Sequence, residues 1–260
     1  MKKIQLSENG ATEVITPQIE EVEIPLEPVI PAKYAAKGEV GIVVGAPGVG
    51  KTWFVASFPN VLVLELDPEG LRYIDWPVAY MQVDTVAKLR GAITQLVRKR
   101  DEIPYETIAI DSLTQLEQML QEEVTKDLGV PFNRVPHGQG WVEVRKRLIK
   151  IIMALRKTEK RVIVTAHNTK LLFESGEAMV GLELSGKAKN LVAAAVDWIA
   201  WLHIDGDGNR VLDFRHDDTL EFKSRNPNLA GKVIPADVNV FLKTAYGEGG
   251  NANQSGDQAG

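Results

Sequence analysis

The sequence predicts an α/β fold in which a mainly parallel β-sheet is flanked by helices and followed by an antiparallel C-terminal extension. Three observations indicate this fold. Short apolar runs alternate with amphipathic helical patterns between residues 39 and 166. A glycine-rich turn connects the first apolar run to a helical pattern. After residue 196 the helical patterns give way to short stretches of strand length that are separated by turns.

The parallel part of the fold follows from runs in which nearly every residue is apolar, because strands covered on both faces lack polar alternation. These runs predict strands at 39–45, 61–66, 79–83, 107–111 and 161–166. Apolar residues at helical spacing predict helices at 51–58, 85–100, 113–128 and 141–155. In the C-terminal extension, strands are predicted at 197–204, 210–216 and 219–225.

The length of 260 residues indicates one folded domain with tails. Residues 1–35 contain prolines among glutamates, which predicts an extended or disordered acidic arm. Residues 246–260 have almost no large apolar side chains, which predicts a disordered tail and leaves a domain at 36–245. The two tails together account for the net charge of −5, so the domain itself can carry a basic, nucleic-acid-binding face.

The composition excludes several classes of protein. The chain has no cysteine, which excludes a disulfide scaffold, a thiol nucleophile and cysteine-ligated metal sites. Its longest apolar run, Leu191–Ile204, is interrupted by Asp197 and is too short to span a bilayer. No apolar stretch follows the two lysines near the start, so no signal peptide is expected. We therefore expect a cytoplasmic protein.

The most specific signal is the sequence GAPGVGKT, which matches the phosphate-binding pattern G-x-x-x-x-G-K-[ST] between a strand and a helix. Backbone N–H groups of such a loop surround a phosphate, the lysine reaches the β- and γ-phosphates, and the hydroxyl holds Mg²⁺. ATP is preferred to GTP because the guanine-specific N-K-x-D pattern is missing. The predicted ATP-binding residues are Gly45, Ala46, Pro47, Gly48, Val49, Gly50, Lys51 and Thr52.

Acidic residues at strand ends supply the other parts that hydrolysis needs. Asp111 ends the apolar strand at 107–111 and is the second predicted Mg²⁺ ligand beside Thr52. Glu69 follows the 61–66 strand and is the predicted general base that activates water. Asp67 is the alternative base.

The order of these segments resembles the RecA-like ATPase core, in which a P-loop strand is followed by two strands that end in acids. The later sequence FKSRN is similar to the K-x-R-N of RecA-like hexameric helicases. This resemblance implies that Lys223 and Arg225 are fingers that reach the γ-phosphate bound by a neighbouring subunit. It also implies that His167, after the last parallel strand, senses the γ-phosphate, with Asn168 as the alternative.

Over roughly residues 36–245 the chain resembles the small bacteriophage RecA-like ATPases, a family of phage nucleotide-binding proteins and single-strand annealing recombinases. The resemblance rests on GAPGVGKT, LDPEG, IAIDS, VTAHN and FKSRNP. It implies an ATPase that acts in DNA recombination, forms a homo-oligomeric ring or filament, and works with a single-strand-binding protein.

RecA-like recombinases contact single-stranded DNA through two loops, which correspond here to residues 129–140 and 168–190. Basic side chains in such loops contact phosphates, and aromatic side chains stack on bases. The candidate DNA-binding residues are Phe132, Arg134, His137, Lys170, Lys187 and Lys189.

Three other functions remain open on the sequence alone. The first is a helicase-type or other oligomeric DNA motor, the second is a P-loop nucleotide kinase, and the third is a nucleotide-dependent switch with negligible hydrolysis. Directional unwinding would identify the motor, and dependence on a nucleoside instead of DNA would identify the kinase.

Overall fold

The computed structural model divides the chain into two compact units, residues 1–33 and 34–260. The residues that it describes are 4–6, 12–14, 37–67, 70–135, 138–172, 178–217 and 220–247. In the first unit, β1 (Ile4–Leu6) and β2 (Thr12–Val14) form an antiparallel pair. Most of the predicted acidic arm and of the predicted tail lie outside the described residues, so the domain boundaries stay predictions.

The second unit contains the strands and helices that the alternating sequence pattern predicts. Its strands are β3 (Val40–Gly45), β4 (Val61–Glu65), β5 (Ala79–Gln82), β6 (Thr107–Asp111), β7 (Arg161–Leu172), β8 (Ala178–Leu182), β9 (Trp198–Ile204), β10 (Arg210–Asp213), β11 (His216–Asp217), β12 (Leu220–Glu221), β13 (Lys223–Ser224) and β14 (Val233–Pro235). Its helices are α1 (Lys51–Ala56), α2 (Val86–Arg98), α3 (Leu113–Leu128), α4 (Gln139–Arg156), α5 (Ala188–Ala195) and α6 (Val238–Tyr246). In the part of the chain that the structure describes, no helix has the length and apolarity needed to cross a membrane.

The central sheet confirms the predicted fold class. Strands β5–β4–β6–β7–β3–β9 lie side by side in this order and run parallel. Strands β10 and β14 continue the sheet beyond β9 in antiparallel pairing. Because the parallel strands point the same way, the segments that follow β3, β4, β6 and β7 leave the sheet at one edge, where α/β proteins bind ligands.

Strand β9 belongs to the parallel core, which corrects the expectation that the antiparallel extension begins after residue 196. It runs parallel to β3, with Trp201 opposite Val44. The physical reason is the helix α5 that precedes it. This crossover helix carries the chain back to the amino end of β3, from which β9 runs parallel to β3. Antiparallel pairing begins one strand later, with β10.

The segment 168–190 is not the long loop that the resemblance implied. Strand β7 continues to Leu172 and pairs antiparallel with β8, and α5 follows. Val180 and Leu182 of β8 are buried, so this hairpin contributes apolar side chains to the core. The apolar stretch at 178–182 is the signal in the sequence that indicates the strand.

Helices α2, α3 and α4 pack their apolar stripes against one face of the sheet. The hydroxyls of Thr85 and Ser112 accept hydrogen bonds from backbone N–H groups at the starts of α2 and α3, which defines where these helices begin. Gly129 has a left-handed conformation and ends α3. The predicted stripe of α2 is buried, and α4 buries Val144, Leu148, Ile151, Ile152 and Leu155.

Helices α1 and α6 lie on the other face, around a cluster of buried aromatic rings. The ring of Trp198 crosses Gly41 so closely that a Cβ atom at this glycine would lie 2.0 Å from it. Phe241 of α6 makes edge contacts with Phe54 and Phe58 at centroid distances of 6.2 and 5.7 Å. Helix α6 is absent from the sequence prediction, although its buried residues have helical spacing at Val238, Phe241 and Ala245.

A partly buried polar cluster joins the end of α6 to the start of β3. The hydroxyl of Tyr246 donates a hydrogen bond to the carboxylate of Glu39. The guanidinium of Arg161 lies over the ring of Tyr246, 5.1 Å from its centroid, and donates to Thr107 Oγ1 at 3.0 Å. Burial raises the pKa of Glu39 from 4.5 to about 6, although the Tyr246 hydrogen bond opposes this shift.

This shift makes stability depend on pH. A carboxyl group whose pKa is higher in the folded chain stabilises the fold below its unfolded pKa and loses this contribution as pH rises through the folded value. We expect the free energy of unfolding of the wild type to fall by about 2 kcal/mol relative to Glu39→Gln as pH rises from about 4 to about 7. Urea denaturation of both proteins measures this difference, and parallel pH profiles would contradict it.

Candidate nucleotide-binding site

The predicted site residues converge at the carboxyl edge of the parallel sheet. The P-loop follows β3, and the backbone of its first residue, Gly45, lies opposite His167 of β7. In the neighbouring pair of strands, Glu65 at the end of β4 lies opposite Asp111 at the end of β6. The structure therefore brings the P-loop, the predicted metal ligand and the predicted sensor to one edge.

The conformation of the P-loop requires its glycines. Gly48 and Gly50 have φ values of 77° and 106°, in the left-handed region that favours glycine. Gly45 passes so close to β9 that a Cβ atom there would lie 2.7 Å from the carbonyl oxygen of Leu202. Helix α1 begins directly after Gly50, without a side-chain cap. The first N–H groups of a helix have no partners within it, so these are available to phosphate oxygens.

Lys51 is held inside the loop. Its side chain is only 8% exposed, and its Nζ donates hydrogen bonds to the carbonyl oxygens of Gly45 at 2.9 Å and Ala46 at 3.0 Å. Burial lowers the pKa of the Lys51 ammonium, and the nearby carboxylates of Asp111 and Asp67 act in the opposite direction. The ammonium therefore lies between the P-loop carbonyls and the acidic strand ends.

Asp111 is a buried carboxylate that two hydroxyls hold in place. Thr52 Oγ1 donates to its Oδ2 at 2.6 Å, and Thr165 Oγ1 donates to its Oδ1. Hydroxyl and carboxylate oxygens are the donors that Mg²⁺ prefers, so Thr52 and Asp111 fit the predicted metal role. Sequence reasoning missed Thr165, although it is the one polar residue in the run Val162–Ala166.

The segment after β4 carries the candidates for the general base. Glu69 lies outside the described residues. Gly70, the next described residue, is adjacent to both neighbouring acids: a Cβ atom there would lie 3.5 Å from Glu65 Oε1 and 3.6 Å from Asp111 Oδ2. Glu65 itself is buried and accepts the backbone N–H of Leu71 at 2.9 Å, which holds this turn in place. The choice between Asp67 and Glu69 stays open.

His167 is attached to the first turn of α3 and faces an acid. Its backbone N–H donates to Thr114 Oγ1 at 3.1 Å, and its Nδ1 lies 3.7 Å from a carboxylate oxygen of Glu183. This position beside the P-loop suits a sensor. The alternative, Asn168, begins the antiparallel pairing with β8. The sensor role of either residue stays a prediction.

Lys223 and Arg225 lie at the opposite end of the sheet from their own P-loop. Lys223 pairs with Ile199, which is opposite Ile42 in the first half of β3. Lys223 Nζ donates to the carbonyl of Val196 at 2.9 Å, and Arg225 donates to the carbonyl of Ala194 at 2.6 Å. Burial is the main cause that lowers the pKa of Lys223. Arg225 also lies 3.5 Å from the carboxylate of Asp197, so both side chains have their partners at the amino end of the sheet.

Some of the candidate DNA-binding side chains contact other side chains of the same chain, and others are exposed. Phe132 packs edge-on against Trp141 at 4.7 Å, and Lys189 forms an ion pair with Glu221. His137 lies outside the described residues. The remaining candidates are exposed: Arg134, Lys170 and Lys187.

A basic residue that the sequence analysis did not single out also reaches the site. Arg210, the first residue of β10, donates its Nε–H to the carbonyl oxygen of Val49 in the P-loop at 3.0 Å. The sequence gives no local signal for this contact, because 161 residues separate the two partners.

Comparison with known families agrees with this geometry. A family model described as an AAA domain matches residues 37–226, which is most of the chain. The chain belongs to this AAA domain family. The AAA domain is of the P-loop NTPase type, so its presence supports nucleotide binding and hydrolysis. No curated protein matches the sequence.

The two candidate bases of the AAA domain can be separated by neutral, isosteric substitutions. We expect Glu69→Gln to retain nucleotide binding and to lower the turnover of ATP by about 10²–10⁴-fold, because a general base contributes about that much. Asp67→Asn is the matched variant and should retain most of the turnover. Steady-state hydrolysis and nucleotide titration measure both effects. The reverse pattern would assign the base to Asp67, and wild-type turnover in both variants would reject both.

Proposed function

We propose that the protein is a Mg²⁺-dependent ATPase that assembles into a homo-oligomer and acts on single-stranded DNA in recombination or annealing. The observation that carries the ATPase part is the contact between Thr52 and Asp111 beside a P-loop that encloses Lys51. This set combines a phosphate cradle, a cation and two oxygen ligands in one place, which is what phosphoryl transfer to water needs.

Each residue has a separate task in this proposal. Lys51 leaves the carbonyls of Gly45 and Ala46 and binds the β- and γ-phosphates. Thr52 and Asp111 hold Mg²⁺, which would neutralise phosphate charge when bound. Glu69, or Asp67 in its place, accepts the proton of the attacking water, and His167 contacts the γ-phosphate.

The oligomer is supported by where the two finger residues lie. Lys223 and Arg225 are at the amino end of β9, whereas the P-loop is at the carboxyl end of the adjacent β3. A cation at the amino end of the sheet can stabilise the charge of the transition state only in the site of another subunit. A ring or a filament satisfies this requirement for every subunit.

The DNA substrate is supported by the resemblance to phage annealing recombinases and by exposed basic residues. Arg134 lies in the segment between α3 and α4, and Lys170 lies on the β7–β8 hairpin. Lys187 precedes α5. Exposed cations can contact the phosphates of a single strand. A single-strand-binding protein is the partner that this resemblance implies.

The first test is the rate of ATP hydrolysis with and without single-stranded DNA. We expect single strands to stimulate the rate several-fold, and the rate per subunit to rise steeply with protein concentration, because each site needs two subunits. Lys51→Ala is the blank. A rate that is indifferent to DNA would reject the DNA-dependent part, and a rate per subunit that is independent of concentration would reject assembly over the range tested.

The second test asks whether Arg225 acts between subunits. We expect Arg225→Ala to lower turnover by about 10³–10⁵-fold, as the loss of an arginine finger does. Lys51→Ala should also be inactive, but a mixture of the two variants should regain part of the activity, because some sites then combine an intact P-loop with an intact finger. Circular dichroism controls for folding. An inactive mixture of two folded variants would contradict the role between subunits.

A further inference from the structure

The β9–β10 hairpin brings the start of β10 next to the P-loop. Strand β9 runs beside β3 as far as Val44, and the carbonyl of Leu202 in β9 lies against Gly45. Strand β10 returns in the antiparallel direction, with Arg210 opposite Ile204. The first residue of β10 is therefore adjacent to the loop that follows β3.

Arg210 contacts two consecutive residues of the P-loop. Its Nε–H donates to the carbonyl oxygen of Val49 at 3.0 Å. Its side chain also covers Gly50, where a Cβ atom would lie 3.2 Å from Nε and 3.9 Å from Cζ. The guanidinium is thus held at the point where the loop enters α1.

The charge of Arg210 has no carboxylate partner within 4.0 Å among the described residues. Of the acids near it in the sequence, Asp213 forms an ion pair with Arg215 at 2.6 Å. Asp205 accepts the N–H groups of Asp207 at 3.0 Å and Asn209 at 2.8 Å and so stabilises its own turn. The hydrogen bond to Val49 uses only Nε, so the two terminal amino groups of the guanidinium remain available to a ligand.

A ligand that meets these groups beside a P-loop would be an anion. The backbone N–H groups of such a loop surround the α- and β-phosphates of a nucleotide. Arginine binds phosphate more strongly than a point charge does, because its planar fork donates parallel hydrogen bonds. We propose that Arg210 is a nucleotide contact of the same subunit, whose terminal amino groups bind an α- or β-phosphate oxygen while Nε remains on Val49. This proposal rests on the nucleotide binding proposed above.

The role differs from that of the two finger residues. Lys223 and Arg225 lie at the other end of the sheet and are proposed to reach the nucleotide of a neighbour. Arg210 touches the loop of its own chain, so its contribution does not depend on assembly. Its effect should appear in the binding of ADP and of inorganic pyrophosphate, before any hydrolysis.

The experiment measures the dissociation constants of ADP and of pyrophosphate by calorimetry for the wild type and a set of variants. A hydrogen bond to a charged group contributes about 1.5–3 kcal/mol, so we expect Arg210→Ala to weaken both ligands by about 10- to 100-fold. Arg210→Lys retains the charge without the fork and should lose less. Arg98→Ala, which removes an exposed arginine at the end of α2, is the control and should bind like the wild type.

The variant Arg210→Gln distinguishes two roles of Arg210: contact with a phosphate, and stabilisation of the P-loop through the hydrogen bond to Val49. A neutral amide can still donate a hydrogen bond to Val49. If Arg210 only stabilises the loop, this variant should therefore bind ADP and pyrophosphate nearly as well as the wild type. A phosphate contact predicts a loss as large as in Arg210→Ala. Wild-type affinity in either variant, or a loss for ADP without a loss for pyrophosphate, would overturn the proposal.

Lys51→Ala distinguishes the failure of this proposal from the failure of the proposed function. If the wild type binds ADP and Lys51→Ala does not, while the Arg210 variants bind normally, the nucleotide site stands and the role of Arg210 is rejected. If the wild type binds neither ADP nor ATP, the proposed function fails, and the role of Arg210 fails with it.

Discussion

The carboxylate of Asp111 is the interaction on which the carboxyl edge of the sheet depends. It is only 4% exposed, and a buried charge requires polar partners. The hydroxyls of Thr52 and Thr165 provide them, which links the start of α1 and the middle of β7 to the end of β6. The backbone carbonyl of Asp111 also accepts the N–H groups of Leu66 and Asp67 at 2.6 and 3.1 Å. One residue therefore joins three other segments of the site to the end of β6.

The two faces of the sheet have different tasks. The face covered by α2, α3 and α4 is a continuous and mainly aliphatic core. The face covered by α1 and α6 is built around aromatic rings, and it carries the helix that follows the P-loop. Because α6 packs on Phe54 and Phe58, the C-terminal helix supports the element that presents Lys51 and Thr52.

The sheet also separates two sets of basic residues along the strand direction. Lys51 and Arg210 are at the carboxyl edge, whereas Lys223 and Arg225 are at the amino end of β9. Lys51 and Arg210 donate hydrogen bonds to backbone carbonyls of the P-loop. Lys223 and Arg225 donate to backbone carbonyls at the end of α5. In the proposed function, one of these sets contacts the nucleotide of its own chain and the other contacts that of a neighbouring subunit.

The sequence by itself determined the fold class, the P-loop, and the strand that ends at Asp111. It could do so because these features rest on local patterns: apolar runs, helical spacing, and glycines that allow a left-handed backbone. Only the tertiary structure decided that β9 joins the parallel core, that β8 pairs with β7, and that α6 covers the aromatic cluster. It also brought Thr165 to Asp111 and Arg210 to Val49. These contacts join residues 54 and 161 positions apart, so no local pattern encodes them and packing alone selects the partners.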